Sequence, residues 1–394
     1  GQHEVPRLYD IIKKNCSEQW YEEDLINLYT EEEWDRIDSF VKHDRDFNIR
    51  YAGVTEWISK YLVQNRITKE YKESPQITYI LVSAILNKPY GMKKVKEYYN
   101  NLSNFQITIP TPVIAGVRTQ EKQFSSCVLI ECGDSLKSIS ATADACMTYA
   151  SKRAGLGVSV SGLRAAKQPV RGGQAYTTGP IPFTKHLESA VLSCSQGGLR
   201  KGSINFVHLG WHLDIEQLVV LKNNKGNEEN RIRHSDHTIL LNGTLYKKMM
   251  RNEDVWLFSP EEVPDLYNAF FSDQEKFEKL YDQYSRSRSV NKSSIKGGDL
   301  RDLIVGERMG TSRIYILNVD LANLQGSMIP EVAPIKMTNL CVEITQHTKP
   351  MSFHDDPEGL IALCTLSAVD LGNVRRPEDL ESPCRNAVYA LDNL

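Results

Sequence analysis

Short apolar runs alternate with helix-like stretches from residue 106 onward, and this alternation constrains the possible folds more than any other feature of the chain. Strands that alternate with helices are typical of an α/β fold with a parallel sheet. Asp134 and Ser135 are predicted to cap a helix over Leu136–Arg153. The predicted strands are Phe105–Pro110, Cys127–Cys132, Val158–Val160, Ile204–His208, Thr238–Leu241 and Ile314–Leu317.

The first part of the chain has a different pattern, which predicts helices. Thr30 with Glu33 three residues later forms a capping box that opens a helix. An apolar helix over Gln76–Asn87 is predicted to end before Pro89, because proline cannot continue a helix. We therefore expect two domains, a helical domain over residues 1–105 and an α/β domain over residues 106–394.

The composition is that of an ordinary globular protein. Hydrophobic residues make up 41% and charged residues 25% of the chain, and the net charge of −3 creates no field that would attract nucleic acid or anionic lipid. No apolar run approaches the roughly 18 residues of a membrane span, and the first residues lack a signal-peptide pattern. The eight cysteines follow no zinc-ligand spacing. We expect a cytoplasmic protein with no bound metal, no nucleic-acid partner and no membrane segment.

One short segment, Asn339-Leu340-Cys341-Val342-Glu343, combines an amide, a thiol and a carboxylate. If the segment is extended, Asn339, Cys341 and Glu343 point to one side, because side chains alternate along a strand. A cysteine between Leu and Val is commonly a small buried hydrophobe. Polar residues on both sides of it favour a functional site instead, because a buried amide and a buried carboxylate each need partners.

Two further cysteine motifs accompany this segment, Ser125-Ser126-Cys127 upstream and Leu363-Cys364-Thr365-Leu366-Ser367 downstream. With these motifs in this order, the chain resembles the large, catalytic subunit of class I ribonucleotide reductase, essentially from end to end. The resemblance implies a helical region followed by the first half of a ten-stranded α/β barrel. Other segments that carry the resemblance are Tyr51–Asn65, Thr111–Arg118, Ser151–Gly173, Cys194–Gly202 and Leu257–Tyr284.

The resemblance implies a role for each residue of the cysteine motifs. Cys341 would form the transient thiyl radical that removes the 3′-hydrogen of a ribonucleotide. Glu343 would be the general base on the 3′-hydroxyl, and Asn339 would orient the sugar hydroxyls. Cys127 and Cys364 would donate two electrons and finish as a disulfide, so their Cα atoms must approach within roughly 7 Å.

Substrate and effector sites are implied in the same way. Thr111 and Ser126 match positions of the family's substrate pocket. Two arginines beside glycines suit a triphosphate, which needs forked donors and close backbone approach. The residues that match the family's site for a deoxynucleoside triphosphate or ATP effector are Asp134, Ser135, Arg164 and Arg171.

A glycine-rich loop would connect the effector site to the substrate. The resemblance implies that this specificity loop relays the identity of the effector to the substrate base, and glycines make such a loop deformable. Its matching residues are Ser195, Gln196, Gly197, Gly198 and Arg200.

The resemblance also implies partners. Family members continue well beyond the position of Leu394 and commonly carry a regulatory nucleotide-binding domain before the position of Gly1. We therefore expect the isolated chain to be inactive and to be completed by a second polypeptide that supplies the remaining half-barrel. The other implied partners are a ribonucleoside diphosphate substrate, a metal-containing small subunit that supplies the radical, thioredoxin or glutaredoxin, and a second copy of the completed subunit in a homodimer.

Two other interpretations stay open. The chain could be a non-catalytic nucleotide-binding and dimerisation module that retains only the effector site, or part of a related enzyme that uses adenosylcobalamin. The presence of Glu343 together with Cys127, Cys341 and Cys364 favours the catalytic interpretation.

Overall fold

A computed structural model of the protein describes residues 5–196 and 200–394, and the chain divides into two units. The helical unit comprises Gly1–Ser126 and Thr365–Leu394, and the sheet unit comprises Cys127–Cys364. The units therefore divide near residues 126 and 365, whereas the sequence analysis placed a single boundary at residue 105. The last helix of the chain belongs with the helices at its beginning.

The helical unit is built around Pro75–Asn87, a helix that is buried on nearly every face. The predicted capping box is confirmed, because Thr30 accepts from the Glu33 backbone N–H and Glu33 accepts from the Thr30 N–H. Two short antiparallel pairs, Gln64–Asn65 with Glu70–Tyr71 and Ile107–Thr108 with Ala368–Val369, complete the unit. Its helices are Leu8–Ser17, Glu31–Asp38, Tyr51–Glu56, Pro75–Asn87, Met92–Ser103, Thr111–Gly116 and Glu381–Asp392.

A fully buried ion pair lies in the core of the helical unit. The Arg118 guanidinium donates to both carboxylate oxygens of Glu73, and both side chains have no solvent exposure. The Tyr21 hydroxyl donates a 2.6 Å hydrogen bond to the same carboxylate. Buried charges are tolerated only when they are paired and hydrogen-bonded, and this network satisfies that requirement.

The sheet unit contains a six-stranded sheet, whose strands are numbered β1–β6 here in chain order. Five strands are parallel and adjacent in the order β5-β4-β3-β2-β1, and β6 pairs antiparallel with the outer edge of β1. All residues of the first and third strands are buried, as expected for a parallel sheet that is covered on both faces. The strands are β1 Cys127–Glu131, β2 Gly155–Ser159, β3 Ile204–Leu209, β4 Asp236–Leu241, β5 Ile314–Asn318 and β6 Ala362–Cys364.

These strands confirm the predicted mixed α/β fold with a mainly parallel sheet. Ser135 caps the helix Leu136–Ser151 by accepting from the Ser138 N–H at 3.1 Å, as the sequence predicts. The other helices of the unit are Pro180–Ser193, Ile215–Val219, Gly243–Arg251, Pro264–Ser272, Gln274–Arg286, Gly297–Thr311 and Val319–Gln325. Outside the sheet, the antiparallel pairs are Asp254–Phe258 with Lys292–Lys296, Pro169–Val170 with Ala175–Tyr176, and Ser195–Gln196 with Arg200–Lys201.

The two faces of the sheet carry different groups. Register and side-chain alternation place Cys127, Gly157, Asn205 and Thr238 on one face, on four neighbouring strands. The opposite face carries apolar residues such as Phe206 and a buried, hydrogen-bonded pair of histidines, His208 and His237. The segment that contains Thr338 and Asn339 lies against the first of these faces, at Gly157 and Asn205. None of the helices within residues 5–196 and 200–394 has the length and hydropathy of a membrane span.

The buried ion pair yields a stability prediction. Replacing Arg118 with Met leaves the Glu73 carboxylate buried without its cation, and breaking such a pair costs about 3–5 kcal/mol of unfolding free energy. The matched control is Arg385→Met, because Arg385 pairs with Glu381 on an exposed helix surface, where such pairs contribute about 0–1 kcal/mol. Chemical denaturation of both variants measures the difference. Equal destabilisation by the two changes would contradict the assigned importance of the buried pair.

Candidate active site and nucleotide site

Residues 335–348 form a closed loop that carries Cys341, here called the Cys341 loop. Ile335 and His347 pair as an antiparallel bridge at the base of the loop. The buried side chain of Asn323 holds the same base, because it accepts from the Ile335 N–H at 2.7 Å and donates to the Ile335 carbonyl at 2.9 Å. The loop therefore has a fixed entry and exit.

Glu131, at the end of β1, attaches both legs of the Cys341 loop to the sheet. Its carboxylate accepts from Lys336 Nζ at 3.0 Å on one leg and from Thr348 Oγ1 at 3.0 Å on the other. Glu131 is only 5% exposed, so these two donors compensate its loss of solvation. The pattern of the sequence did not indicate this contact, because the three residues are far apart in the chain.

The tip of the Cys341 loop is a turn, so residues 339–343 do not adopt the extended conformation that was considered for them. Val342 has a φ of 69°, in the left-handed region. The buried amide of Asn339 closes the turn, because its Oδ1 accepts from the Ile344 N–H at 3.1 Å and its Nδ2 donates to Glu343 Oε1 at 2.6 Å. Local hydrogen bonds of one side-chain amide thus replace the alternation that a strand would impose.

The turn nevertheless brings the predicted groups together. Cys127 begins β1 and lies directly opposite Cys364, the last residue of β6. Directly opposed residues of antiparallel strands have Cα atoms about 4.5–5.5 Å apart, within the range of disulfides. The prediction that these two cysteines lie on neighbouring strands is confirmed. The Cys127 thiol also donates to Glu343 Oε1, with 3.7 Å between sulfur and oxygen.

Electrostatics link the third thiol to this cluster. Partial burial raises the pKa of the Cys341 thiol, and the nearby Glu343 carboxylate and Cys127 raise it further. Burial, Cys127 and Glu343 in turn raise the pKa of Cys364. The surroundings of both thiols therefore favour the protonated form over the thiolate.

Gly157 on β2 allows the Cys341 loop to approach the sheet. A Cβ at this position would overlap the Thr338 carbonyl oxygen and lie 2.7 Å from the Asn339 Cα. Only glycine permits this backbone-to-backbone approach. The sequence does not single out Gly157, which directly precedes the predicted strand Val158–Val160.

A second group of predicted residues lies at the opposite ends of the strands. Asp134 follows β1, and Arg164 follows β2. The two form an ion pair with 2.7 Å between Arg164 Nε and Asp134 Oδ2, and the Arg164 N–H also donates to Asp134 Oδ1. Ser135 uses its hydroxyl as the helix cap described above. The carboxyl ends of parallel strands are the usual position of ligand sites in open α/β sheets.

Side chains from several elements hold the backbone that carries Arg164. His212 Nε2 lies 2.9 Å from the Leu163 carbonyl. The Ala165 N–H donates to Ser259 Oγ at 2.8 Å, and the Ala166 N–H donates to Asp214 Oδ2 at 2.8 Å. The sequence does not single out these three supporting residues, because no local motif joins them. They fix the position from which the Arg164 guanidinium extends.

Arg171 lies in a different setting, at the tip of a hairpin. The strands Pro169–Val170 and Ala175–Tyr176 pair, and Arg171 between them is exposed with a φ of 52°. Arg164 Nη1 donates to the Pro169 carbonyl at the hairpin base, at 3.2 Å. The structure thus connects one predicted effector arginine to the hairpin that carries the other.

The remaining predicted residues belong to the specificity loop and to the substrate pocket. Of the specificity loop, Gly197 and Gly198 lie outside the described residues, and the flanking backbone pairs Ser195 with Lys201 and Gln196 with Arg200. The predicted substrate residues Thr111 and Ser126 belong to the helical unit, where Thr111 begins a short helix. Within residues 5–196 and 200–394, no three His, Cys, Asp or Glu side chains are grouped as a metal site.

Comparison with known proteins decides the family. A family model described as the barrel domain of ribonucleotide reductase matches residues 125–394. The chain belongs to this family. It is 48% identical over its whole length to the ribonucleoside-diphosphate reductase subunit alpha of Buchnera aphidicola, and covers 52% of that protein.

Other ribonucleotide reductases give the same result. The chain is 48% identical to subunit alpha of ribonucleoside-diphosphate reductase 1 of Escherichia coli, over 89% of the chain and 47% of that protein. It is 40% identical to the subunit alpha of phage T4, over all of the chain and 53% of that protein. The chain therefore spans about half the length of the curated relatives it matches.

The position of the two cysteines predicts a specific disulfide. Mild oxidation of the protein should link Cys127 to Cys364, because directly opposed strand positions need little backbone movement to form the bond. Peptide mapping by mass spectrometry identifies the linked residues. The Cys364→Ser variant is the control and should lose the cross-link. Recovery of Cys341 as the main partner of Cys127 would contradict the assignment.

Proposed function

We propose that this chain carries the thiol-bearing part of the active site of a ribonucleoside-diphosphate reductase, which converts ribonucleoside diphosphates to deoxyribonucleoside diphosphates. One observation carries the proposal. Cys127 faces Cys364 across a strand pair and also contacts Glu343, the residue that Asn339 holds. In the proposed reductive removal of a hydroxyl group, the dithiol is the reductant and the carboxylate is the base.

The proposed reaction balances with these groups. Cys341, as a thiyl radical, takes the hydrogen atom from the 3′-carbon, and Glu343 takes the proton of the 3′-hydroxyl. The 2′-hydroxyl then leaves as water. Cys127 and Cys364 supply two electrons and two protons and become a disulfide; one proton leaves with the 2′-hydroxyl as water, and the other hydrogen goes to the 2′-carbon. Cys341 finally returns the hydrogen atom to the 3′-carbon, and Glu343 returns the proton to the 3′-oxygen. The raised pKa of the Cys341 and Cys364 thiols supports these hydrogen and proton transfers.

Asn339 serves the reaction as an orienting residue. Its amide donates to Glu343 Oε1, so the carboxylate is presented in one position. A fixed base lowers the entropic cost of reaching the reactive geometry. In the proposed complex, the same amide and the substrate residues Thr111 and Ser126 contact the sugar and phosphate groups of the ribonucleotide.

The radical and the reducing equivalents come from partners. A metal-containing small subunit supplies the radical to Cys341, and thioredoxin or glutaredoxin restores the Cys127–Cys364 dithiol. These partners follow from membership of the family and from a site that consumes two electrons in each turnover.

The remaining strands of the barrel cover an open edge of this sheet in the proposal. β5 pairs with β4 on one side, and no strand covers its other edge within the described residues. Leu324, Ile329 and Val332, which follow in the chain, are 65–78% exposed. An open strand edge and exposed apolar side chains favour a covering partner. Four further strands, added to the six of this sheet, would complete a ten-stranded barrel.

The carboxyl ends of the strands bind the effector in this proposal. A deoxynucleoside triphosphate or ATP places its phosphates near Arg164 and Arg171, and Asp134 and Ser135 contact the nucleoside. The loop that follows Cys194 passes the signal to the substrate site. The completed subunit acts as a homodimer.

An alternative function is a nucleotide-binding and dimerisation module that has no catalysis of its own. The Arg164 segment favours this alternative, because the ion pair with Asp134 and the side chains that hold its backbone all lie within the described residues. The two candidates differ in one respect: only the reductase requires the thiol of Cys341.

Replacement of the catalytic groups separates the two functions. In the completed enzyme, Cys341→Ser should abolish nucleotide reduction and leave effector affinity unchanged, because the thiol acts only in the chemistry. Glu343→Gln should slow turnover by about 10²–10⁴-fold, the range for a lost general base. Deoxynucleotide formation assays measure both. The control is Cys384→Ser, since Cys384 is an exposed thiol in the helical unit. Normal turnover by Cys341→Ser would refute the proposed function.

Effector binding should depend on both arginines. Arg164→Ala and Arg171→Ala should each weaken triphosphate binding by more than about 1 kcal/mol, the scale of a hydrogen bond to a charged group. Arg164→Lys keeps the charge but loses the forked geometry and should also bind more weakly. Equilibrium titration checks this, with Arg286→Ala, on another exposed surface, as the control. Unchanged affinity in both alanine variants would move the effector site elsewhere.

A further inference from the structure

Asn205 and Thr238 form a buried polar pair beneath the Cys341 loop. Asn205 is on β3 and Thr238 on the neighbouring β4, and neither has any solvent exposure. Most of their neighbours in the sheet are apolar, so a polar pair here is costly unless it is fully hydrogen-bonded. Two apolar side chains would fill the same space without this cost. The hydrogen bonds of the pair therefore indicate what the polar groups contribute.

The pair reaches the main chain of the catalytic loop. Asn205 Nδ2 donates to the Asn339 carbonyl at 3.0 Å. A carbonyl oxygen can only accept, so the amide must present its nitrogen to Asn339. The Thr238 hydroxyl accepts from Asn205 Nδ2 at 2.8 Å and donates to Asn205 Oδ1 at 3.1 Å, and it thereby holds the amide in place.

This contact lies next to the reacting groups. The Asn339 carbonyl belongs to the peptide that leads to Leu340 and Cys341, and the Asn339 side chain holds Glu343 at 2.6 Å. On the same face, Gly157 removes the side chain that would keep this backbone away from the sheet. Asn205 therefore acts on the one point of the loop from which both the base and the thiol extend.

We propose that Asn205, held by Thr238, is a positioning residue that sets the place of Glu343 through Asn339, whose carbonyl it binds. The proposal rests on the proposed reductase function and deepens it. Neither residue touches the reacting atoms. Their effect is on the geometry of the base, so it should be seen in the rate of the chemical step and not in binding.

The test uses the completed enzyme with three substitutions. Asn205→Leu keeps the shape of the side chain and removes both donors. Thr238→Val removes only the hydroxyl that orients the amide, and Thr238→Ser retains it. We expect kcat to fall at least tenfold in Asn205→Leu and several-fold in Thr238→Val, with KM and effector affinity within twofold of wild type. Thr238→Ser should recover most of the loss. If Asn205→Leu does not fold, the Val and Ser variants of Thr238 decide the question.

Two further measurements distinguish positioning from stability. Asn242→Leu removes another buried asparagine, which caps the helix Gly243–Arg251; it should lower the melting temperature without lowering kcat. In single-turnover assays, adding Asn205→Leu to Glu343→Gln should cause little further loss, because both changes remove the contribution of one base. If the rate reductions of Asn205→Leu and Glu343→Gln multiply in the double variant, the proposal is overturned. A wild-type kcat in folded Asn205→Leu or Thr238→Val would also overturn it. Cys341→Ser is assayed beside these variants. If it is inactive, either of these contrary results rules out only the positioning role of Asn205. If Cys341→Ser is active, the proposed function itself fails.

Discussion

The hydrogen bonds of the Asn339 side chain are the constraint on which the rest of the site depends. One amide closes the turn by accepting from Ile344 and orients Glu343 by donating to it. The turn lies against the sheet because Gly157 leaves room for it and Asn205 binds its carbonyl. Without this turn, Glu343 would lose its contact with Cys127, and the carboxylate and the thiols would not share one volume.

The proposed reduction site and the proposed effector site lie at opposite ends of the strands of the sheet. Cys127 begins β1 and faces Cys364, whereas Asp134 follows the end of the same strand and pairs with Arg164. A strand rises about 3.3 Å per residue, so the two ends of the five-residue β1 are on the order of 13 Å apart. In the proposed enzyme, reduction and effector binding therefore act on one rigid element without competing for the same space.

The sequence predicted the elements whose signals are local. The capping residues Thr30 and Ser135 are confirmed, and so are the strands β1–β5. The cysteine pair was placed on neighbouring strands because a family motif required it. The turn at Val342 was not predicted, because alternation alone does not reveal that the Asn339 side chain bonds to Glu343 and Ile344 within the same loop. Asn205 also had no local signal, since its partner Asn339 is distant in the chain.

A crystal structure of the completed enzyme with a bound ribonucleoside diphosphate tests the central claim most directly. The account predicts that the ribose lies at the amino-terminal end of β1, with its 3′-carbon toward Cys341, its 3′-hydroxyl at Glu343 and its 2′-hydroxyl toward Cys127. A ribose bound at the Asp134 and Arg164 end of the strands, with the three thiols away from it, would contradict the account.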